Sequence, residues 1–187
     1  MIARAKLLFL VTLVLMLGGC VTTWTRLDQG QVKGPDDKFS VEVPPGWVQF
    51  SFNRNSLQIT RDGLQIQFID VALQSPEQQF KRSKKSVGAA TLPSELAALV
   101  LAELRAGLEP MAVTVLENTP ATVAGKPGFK LHVQYRNDRG ALFDRLVYGA
   151  LHEGKVLTFS YHALDTHYFR RDLPVFEKIV ASYRQGA

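Results

Sequence analysis

The sequence predicts an α+β fold, an antiparallel β-sheet built of meander hairpins and flanked by helices. Three observations carry that expectation. Short runs of alternating apolar and polar residues recur from Phe39 to Leu73 and again from Val113 to Ala163, as half-buried strands require. Asn137–Gly140 and Glu153–Gly154 are short turn sequences that join three of these runs into a meander. Two stretches, 91–108 and 165–184, place apolar residues every three or four positions, as helices with one buried stripe do.

The chain has 187 residues and, less a removable leader, makes one domain with a sizeable core. With 46% hydrophobic and 21% charged residues it is too apolar for a disordered chain and too mixed for a multispan membrane protein. The formal charge is +5, of which Arg4 and Lys6 belong to the leader. The remaining basic bias suits anionic lipid or an acidic partner surface. It falls far short of a nucleic-acid binder, so no nucleic-acid partner is expected.

At the N-terminus, Arg4 and Lys6 precede an apolar run, Leu7 to Leu17, that has the length of an export-signal core and is too short for a comfortable membrane span. The run ends at Leu17-Gly18-Gly19-Cys20. This stretch resembles the lipobox of bacterial lipoproteins; the plainer alternative is an ordinary leader that happens to end at a cysteine. The resemblance implies a signal peptide over 1–19, cleavage between Gly19 and Cys20, and acylation of Cys20 as the membrane anchor. Several acyl chains are needed for a stable anchor, since each buried methylene contributes roughly 0.8 kcal/mol. Cys20 is the only cysteine, so the domain forms no internal disulfide and has no folding need for it. Val21, rather than aspartate, follows it, which by the same resemblance favours the outer membrane, inner leaflet, facing the periplasm.

Residues 20–37 read as the acylated cysteine and a polar, flexible tether, with Gly30, Gly34 and Pro35 and no apolar period. Trp24 stands out there, placed either at the lipid headgroups or against the domain. The single domain then spans 38–187. Phe39, Val41 and Val43 form a strand stopped by Pro44-Pro45-Gly46, and Val48, Phe50 and Phe52 form the next. Asp62-Gly63 suggests a tight hairpin in which Ile59 lies opposite Ile66 and Leu57 opposite Phe68, with a bulge where the alternation slips to Ile69, Val71 and Leu73. The polar stretch 74–90 carries Lys81, Arg82, Lys84 and Lys85, either a solvated loop or a contact patch for anionic headgroups or an acidic partner. In the helix 91–108, Pro93 fits the first turn and Leu96, Leu99, Val100, Leu104 and Leu108 form the stripe.

Beyond Pro110, Val113 and Val115 suggest a strand and 121–124 a second piece, and Gly125 to Gly128 turns into Phe129–Tyr135. Pairing Asn137 with Gly140 sets Leu131 against Leu146 and Phe129 against Tyr148. Pairing His152 with Lys155 sets Tyr148 against Phe159. In that register the second face of the meander aligns His132, Arg145 and His162 across three strands, near enough to converge on one ligand. An arginine between two histidines repels a metal cation and suits a carboxylate or phosphate, so the row is either an anion site or a plain polar face. The last helix, 165–184, buries Phe169, Leu173, Phe176, Val180 and Tyr183, with Asp172 and Pro174 capping or restarting it.

The run Phe39 to Trp47 (FSVEVPPGW), the Gly125-Lys-Pro-Gly128 turn into a meander, the Tyr161-His-Ala163 strand end and the Ile179-Val-Ala-Ser-Tyr183 helix end resemble the PsbP/Mog-like fold. That resemblance implies an α/β/α sandwich, and with the lipobox it is similar in style to DcrB-like envelope lipoproteins. It implies a binding or assembly role, with another envelope protein as partner. No zinc-protease, nucleophile-elbow, phosphate-loop or dinucleotide motif is present in the sequence, so no catalytic residue, metal or cofactor is expected. The alternative function is binding of a small anionic ligand on the polar face of the meander.

Overall fold

The computed structural model of the protein describes residues 24–28, 30–51, 55–165 and 167–186. The leader, Gly19, Cys20 and the proposed cleavage site lie outside the described residues. Eleven strands and three helices follow one another: β1 (Trp24–Arg26), β2 (Gly30–Lys33), β3 (Phe39–Val43), β4 (Val48–Phe50), β5 (Leu57–Thr60), β6 (Gln67–Gln74), α1 (Pro76–Gln79), α2 (Pro93–Gly107), β7 (Val113–Val123), β8 (Lys126–Arg136), β9 (Leu142–His152), β10 (Lys155–Leu164), α3 (Tyr168–Ala181) and β11 (Arg184–Gln185). The large antiparallel sheet runs β1-β4-β5-β6-β10-β9-β8-β7, and a small one runs β11-β3-β2.

Helix α2 covers one face of the large sheet, where Leu96, Val100 and Leu104 meet Leu131, Val133 and Val147. Helix α3 and the small sheet cover the other, where Phe169, Phe176, Phe39 and Val41 meet Leu146, Phe159 and Tyr161. The sheet is therefore apolar on both faces, and the α+β expectation of a helix-flanked antiparallel sheet holds. The central strands β9 and β10 are accordingly buried along most of their length on both sides, because their two sets of side chains serve two cores rather than a core and solvent.

Five local expectations are corrected. Residues 24–37 are not a tether. Leu27 is buried, its N–H donates to Trp47 O at 3.0 Å, and Val32 sits opposite Val41. Single apolar residues suffice there because the neighbouring strands supply the hydrogen bonds and most of the core. The Asp62-Gly63 hairpin is wider than a two-residue turn. Thr60 Oγ1 donates to Gln67 O and accepts from Gly63 N, which folds 61–66 into the loop and pairs Ile59 with Ile69 and Leu57 with Val71. In that register Ile69, Val71 and Leu73 need no bulge to face the core.

The β7–β8 turn falls at Ala124 and Gly125, both at positive φ, and Lys126 already belongs to β8; β7 is one long strand with its irregularity between Val115 and Glu117. The β8–β9 register is shifted by one residue. Asn137 Oδ1 accepts from the N–H groups of Arg139 and Ala141, and Asn137 N donates to Ala141 O, so the loop spans 137–141. Leu131 therefore pairs with Val147 and Phe129 with Gly149, whose missing side chain leaves room for the phenyl ring. The β9–β10 register is as expected, with Tyr148 opposite Phe159. Helix α3 accommodates Pro174 in its interior, and Asp172 is a buried ion-pair partner rather than a cap.

Candidate functional site

One residue of slip sends every side chain of a strand to the opposite face. His132 lies opposite Leu146, on the α3 face, and Arg145 lies opposite Val133 and His162, on the α2 face. The His132, Arg145 and His162 row is thus broken at His132, while Arg145 and His162 stay opposite each other as expected. His132 stacks on Phe169 at 5.1 Å, and its Nε2–H donates to Asp144 Oδ1 at 2.6 Å. Burial pushes the Asp144 carboxyl up, but hydrogen bonds from His132, Asp165 and Gln134 outweigh it and hold the group below its usual range. Asp165 moves the other way, because its hydrogen bond to Asp144 and its burial favour the protonated form.

His162 closes the far end of the α2 face among aromatics. Its Nε2 is bonded to Tyr135 Oη at 2.5 Å, its ring packs on Phe143 and Phe68, and Nδ1 has no partner among the described residues. Burial, seconded by repulsion from Arg145, lowers its pKa to about 3, so it is neutral at ordinary pH.

Arg145 opens instead into a cleft of about 270 Å³ beneath α2. The cleft floor is polar because β6, β9 and β10 each bring a hydrophilic residue to this face: Asp70, Arg145, and Thr158 with Ser160. Arg145 Nε donates to Ser160 Oγ at 2.8 Å, and among the described residues no carboxylate reaches ion-pair distance of its guanidinium. Asp70 instead accepts from Ser56 Oγ at 2.6 Å, and burial raises its carboxyl pKa. Arg82 and Glu103 stand at the wall, 3.7 Å apart.

The basic stretch 81–85 is a held loop. Glu103, on the apolar stripe of α2, accepts from Arg82 N at 3.1 Å and Ser83 N at 2.8 Å, and Phe80 is buried beneath. Lys81, Lys84 and Lys85 are exposed and form no ion pair among the described residues.

Sequence reasoning missed two features of this face. Asp70 and Glu103 were readable as acids standing in apolar runs, a pattern that needs a partner to be tolerated. The second is an open, largely apolar groove of about 960 Å³ between the outer side of α2 and the start of β7, lined by Ala98, Leu101, Ala102, Met111 and Val113 together with Arg105 and Glu109. Further along the same edge strand, Val115 and Leu116 are 38% and 50% exposed. Among the described residues no group of His, Cys, Asp and Glu is placed to hold a metal, and no helix is long and apolar enough to cross a membrane.

No protein-family model matches the sequence, and no curated protein matches it either. Solved structures do. Cyanobacterial PsbP (CyanoP) from Synechocystis sp. PCC 6803 superposes with a TM-score of 0.59 at 12% identity, covering 91% of this chain and 99% of its own. The Saccharomyces cerevisiae Ran-binding protein Mog1p gives 0.58 at 11% identity, covering 85% and 96%. A central antiparallel sheet with α2 on one face and α3 with the small sheet on the other, overlaid on both proteins along nearly their whole length, makes the fold of this chain PsbP/Mog-like.

Proposed function

We propose that this chain is a lipid-anchored envelope protein of the DcrB-like kind, held at the outer membrane and facing the periplasm, that works by docking another envelope protein rather than by catalysis. The observation that carries the docking part is the groove between α2 and β7. An apolar trough beside an edge strand can take both a partner's side chains and its backbone, the mode in which a strand is added to a sheet. Pro120 and the irregularity after Val115 blunt the rest of that edge against indiscriminate pairing, which leaves Val113–Val115 as the open stretch. The lipobox-like Leu17-Gly18-Gly19-Cys20 supports the location, and the binding role printed for Mog1p supports the class of function.

The test is a photo-crosslinking residue placed at Leu116 in intact cells. The expected result is one recurrent envelope protein, lost in Leu116→Lys while that variant stays folded and membrane-bound. Crosslinks unchanged by Leu116→Lys, or none at all, sink the proposal.

One observation favours a second reading. The Arg145 guanidinium faces a cleft of small-metabolite size with no carboxylate in ion-pair contact among the described residues, which suits a small carboxylate or phosphate.

A further inference from the structure

We infer that the cleft beneath α2 takes a zwitterion, a small aliphatic α-amino acid whose carboxylate meets Arg145 and whose ammonium meets Asp70. The inference rests on the second reading above, a ligand site at Arg145, and names the class of molecule that site accepts. Charge balance among the lining side chains carries it. Four of them are ionisable: Asp70, Arg82, Glu103 and Arg145. Glu103 is already committed. Its oxygens accept from the Arg82 and Ser83 N–H groups, and its charge stands 3.7 Å from the Arg82 guanidinium, whose side chain is 66% exposed and lies mostly in solvent. One cation and one acid are left inside, Arg145 and Asp70.

Those two stand on the same floor without closing on each other. Ser160 of β10 lies directly opposite Asp70 of β6, and Arg145 reaches it from β9 through Nε at 2.8 Å, so a hydroxyl separates the charges. Each is tied to a different serine, since Asp70 Oδ2 accepts from Ser56 Oγ at 2.6 Å. Opposite charges that share a cleft attract strongly where water is scarce. Held apart by their own hydrogen bonds, they present a positive end and a negative end to whatever enters. A molecule with the reverse arrangement satisfies both at once.

Each end has its own chemistry. The Arg145 bond uses Nε, and among the described residues the two terminal nitrogens make no hydrogen bond, so they can take both oxygens of a carboxylate. Burial raises the Asp70 carboxyl pKa, and an ammonium beside it supplies the counter-charge that favours the ionised form. A plain anion gains the arginine alone, and a plain cation gains Asp70 alone and meets repulsion from the arginine. Two charges that flank a single hydroxyl suit groups carried on one carbon; the termini of a peptide lie further apart. Ala72 and Val147 on the floor and Val100 and Leu104 on α2 add an aliphatic wall, which suits a short branched side chain and disfavours a second charge.

The experiment titrates the full-length protein by calorimetry with L-valine, with isovalerate, which lacks its ammonium, with isobutylamine, which lacks its carboxylate, and with inorganic phosphate. A charge-assisted hydrogen bond contributes roughly tenfold or more to affinity, so L-valine should bind the parent at least about tenfold more tightly than isovalerate, and isobutylamine should not bind. Asp70→Asn, which keeps an acceptor for Ser56, should bring L-valine down to the isovalerate level, and Arg145→Met should abolish both. Any one of the other three bound as tightly as L-valine, or more so, overturns the zwitterion; if that one is isovalerate or phosphate, the anion reading stands. L-Valine binding unchanged in Asp70→Asn overturns it as well. The analogue series is read on the parent protein, so it stays decisive even if Asp70→Asn does not fold. No binding by any of the four overturns the inference and the Arg145 site together.

Discussion

The two faces of the large sheet are built to different tolerances. On the α3 face the centre is densely packed: Tyr161 stacks on Phe169 at 5.2 Å, Tyr148 and Tyr161 both meet Phe176, and Phe159 meets Tyr183 edge-on, with open pockets at the margins, beside Tyr148 and Glu177 and beside Val43 and Val175. Its central charge is matched too. Asp172, 1% exposed, is bound by Arg61, Arg171 and Gln67, and Arg171 also holds Asp62, so α3 is clamped to the β5–β6 loop. On the α2 face the packing is interrupted by a cleft, an open groove and an arginine whose nearest partner is a serine. A sheet covered twice can devote one cover to stability and leave the other incomplete. Incomplete packing is where a ligand or partner finds room.

The largest effect should come from truncating the sealed face. Phe176→Ala, at a fully buried ring, is expected to cost about 4 kcal/mol, against about 2 kcal/mol for Leu104→Ala beside the cleft, where the new cavity merges with existing space. Urea unfolding of both variants measures the pair. Equal losses would mean that the α2 face is as tightly built as the other, and the contrast would fail.

How much of this contrast was readable beforehand depended on the turns. Glu153 and Gly154, both at positive φ, make a two-residue turn, and the β9–β10 register follows from it directly. The Asn137 loop, with the same kind of residues, closes one residue later because its side chain bonds its own backbone, and the distinction lies in geometry rather than composition. That single residue broke the His132, Arg145 and His162 row at His132 while leaving Arg145 as the one member facing open space. Leu27 and Val32 were invisible as core because each is a lone apolar residue whose partners lie far along the chain. The groove was unreadable for a related reason: it exists only where α2 and β7 fail to close on each other.

A second difference between the faces is electrostatic. His162 is neutral in the folded protein, with its pKa lowered to about 3 from the ordinary 6.5, so the unfolded chain binds the extra proton first as pH falls. Its contribution is complete above pH 6.5 and declines toward pH 3, by at most about 1.4 kcal/mol per pH unit. Urea midpoints measured across that range should fall less steeply in His162→Gln than in the parent. If removing His162 leaves the pH profile unchanged, the aromatic end of the α2 face is wetter than its packing implies.

The smallest expected change in stability is also the most informative about the cleft. Arg145→Met keeps most of the side-chain volume and removes a half-buried charge that no carboxylate contacts among the described residues. The Asp70 left behind is already biased by burial toward its neutral form, so it tolerates the loss. Stability should shift by no more than about 1 kcal/mol, the behaviour of a charge retained for something other than folding. Calorimetry with inorganic phosphate and with a small dicarboxylate should show binding to the parent protein that disappears in Arg145→Met. A loss of about 3 kcal/mol or more, together with no anion binding by the parent, would make Arg145 the structural counter-charge of Asp70. The α2 face would then be incomplete only at the groove, and docking would be the single use left for it.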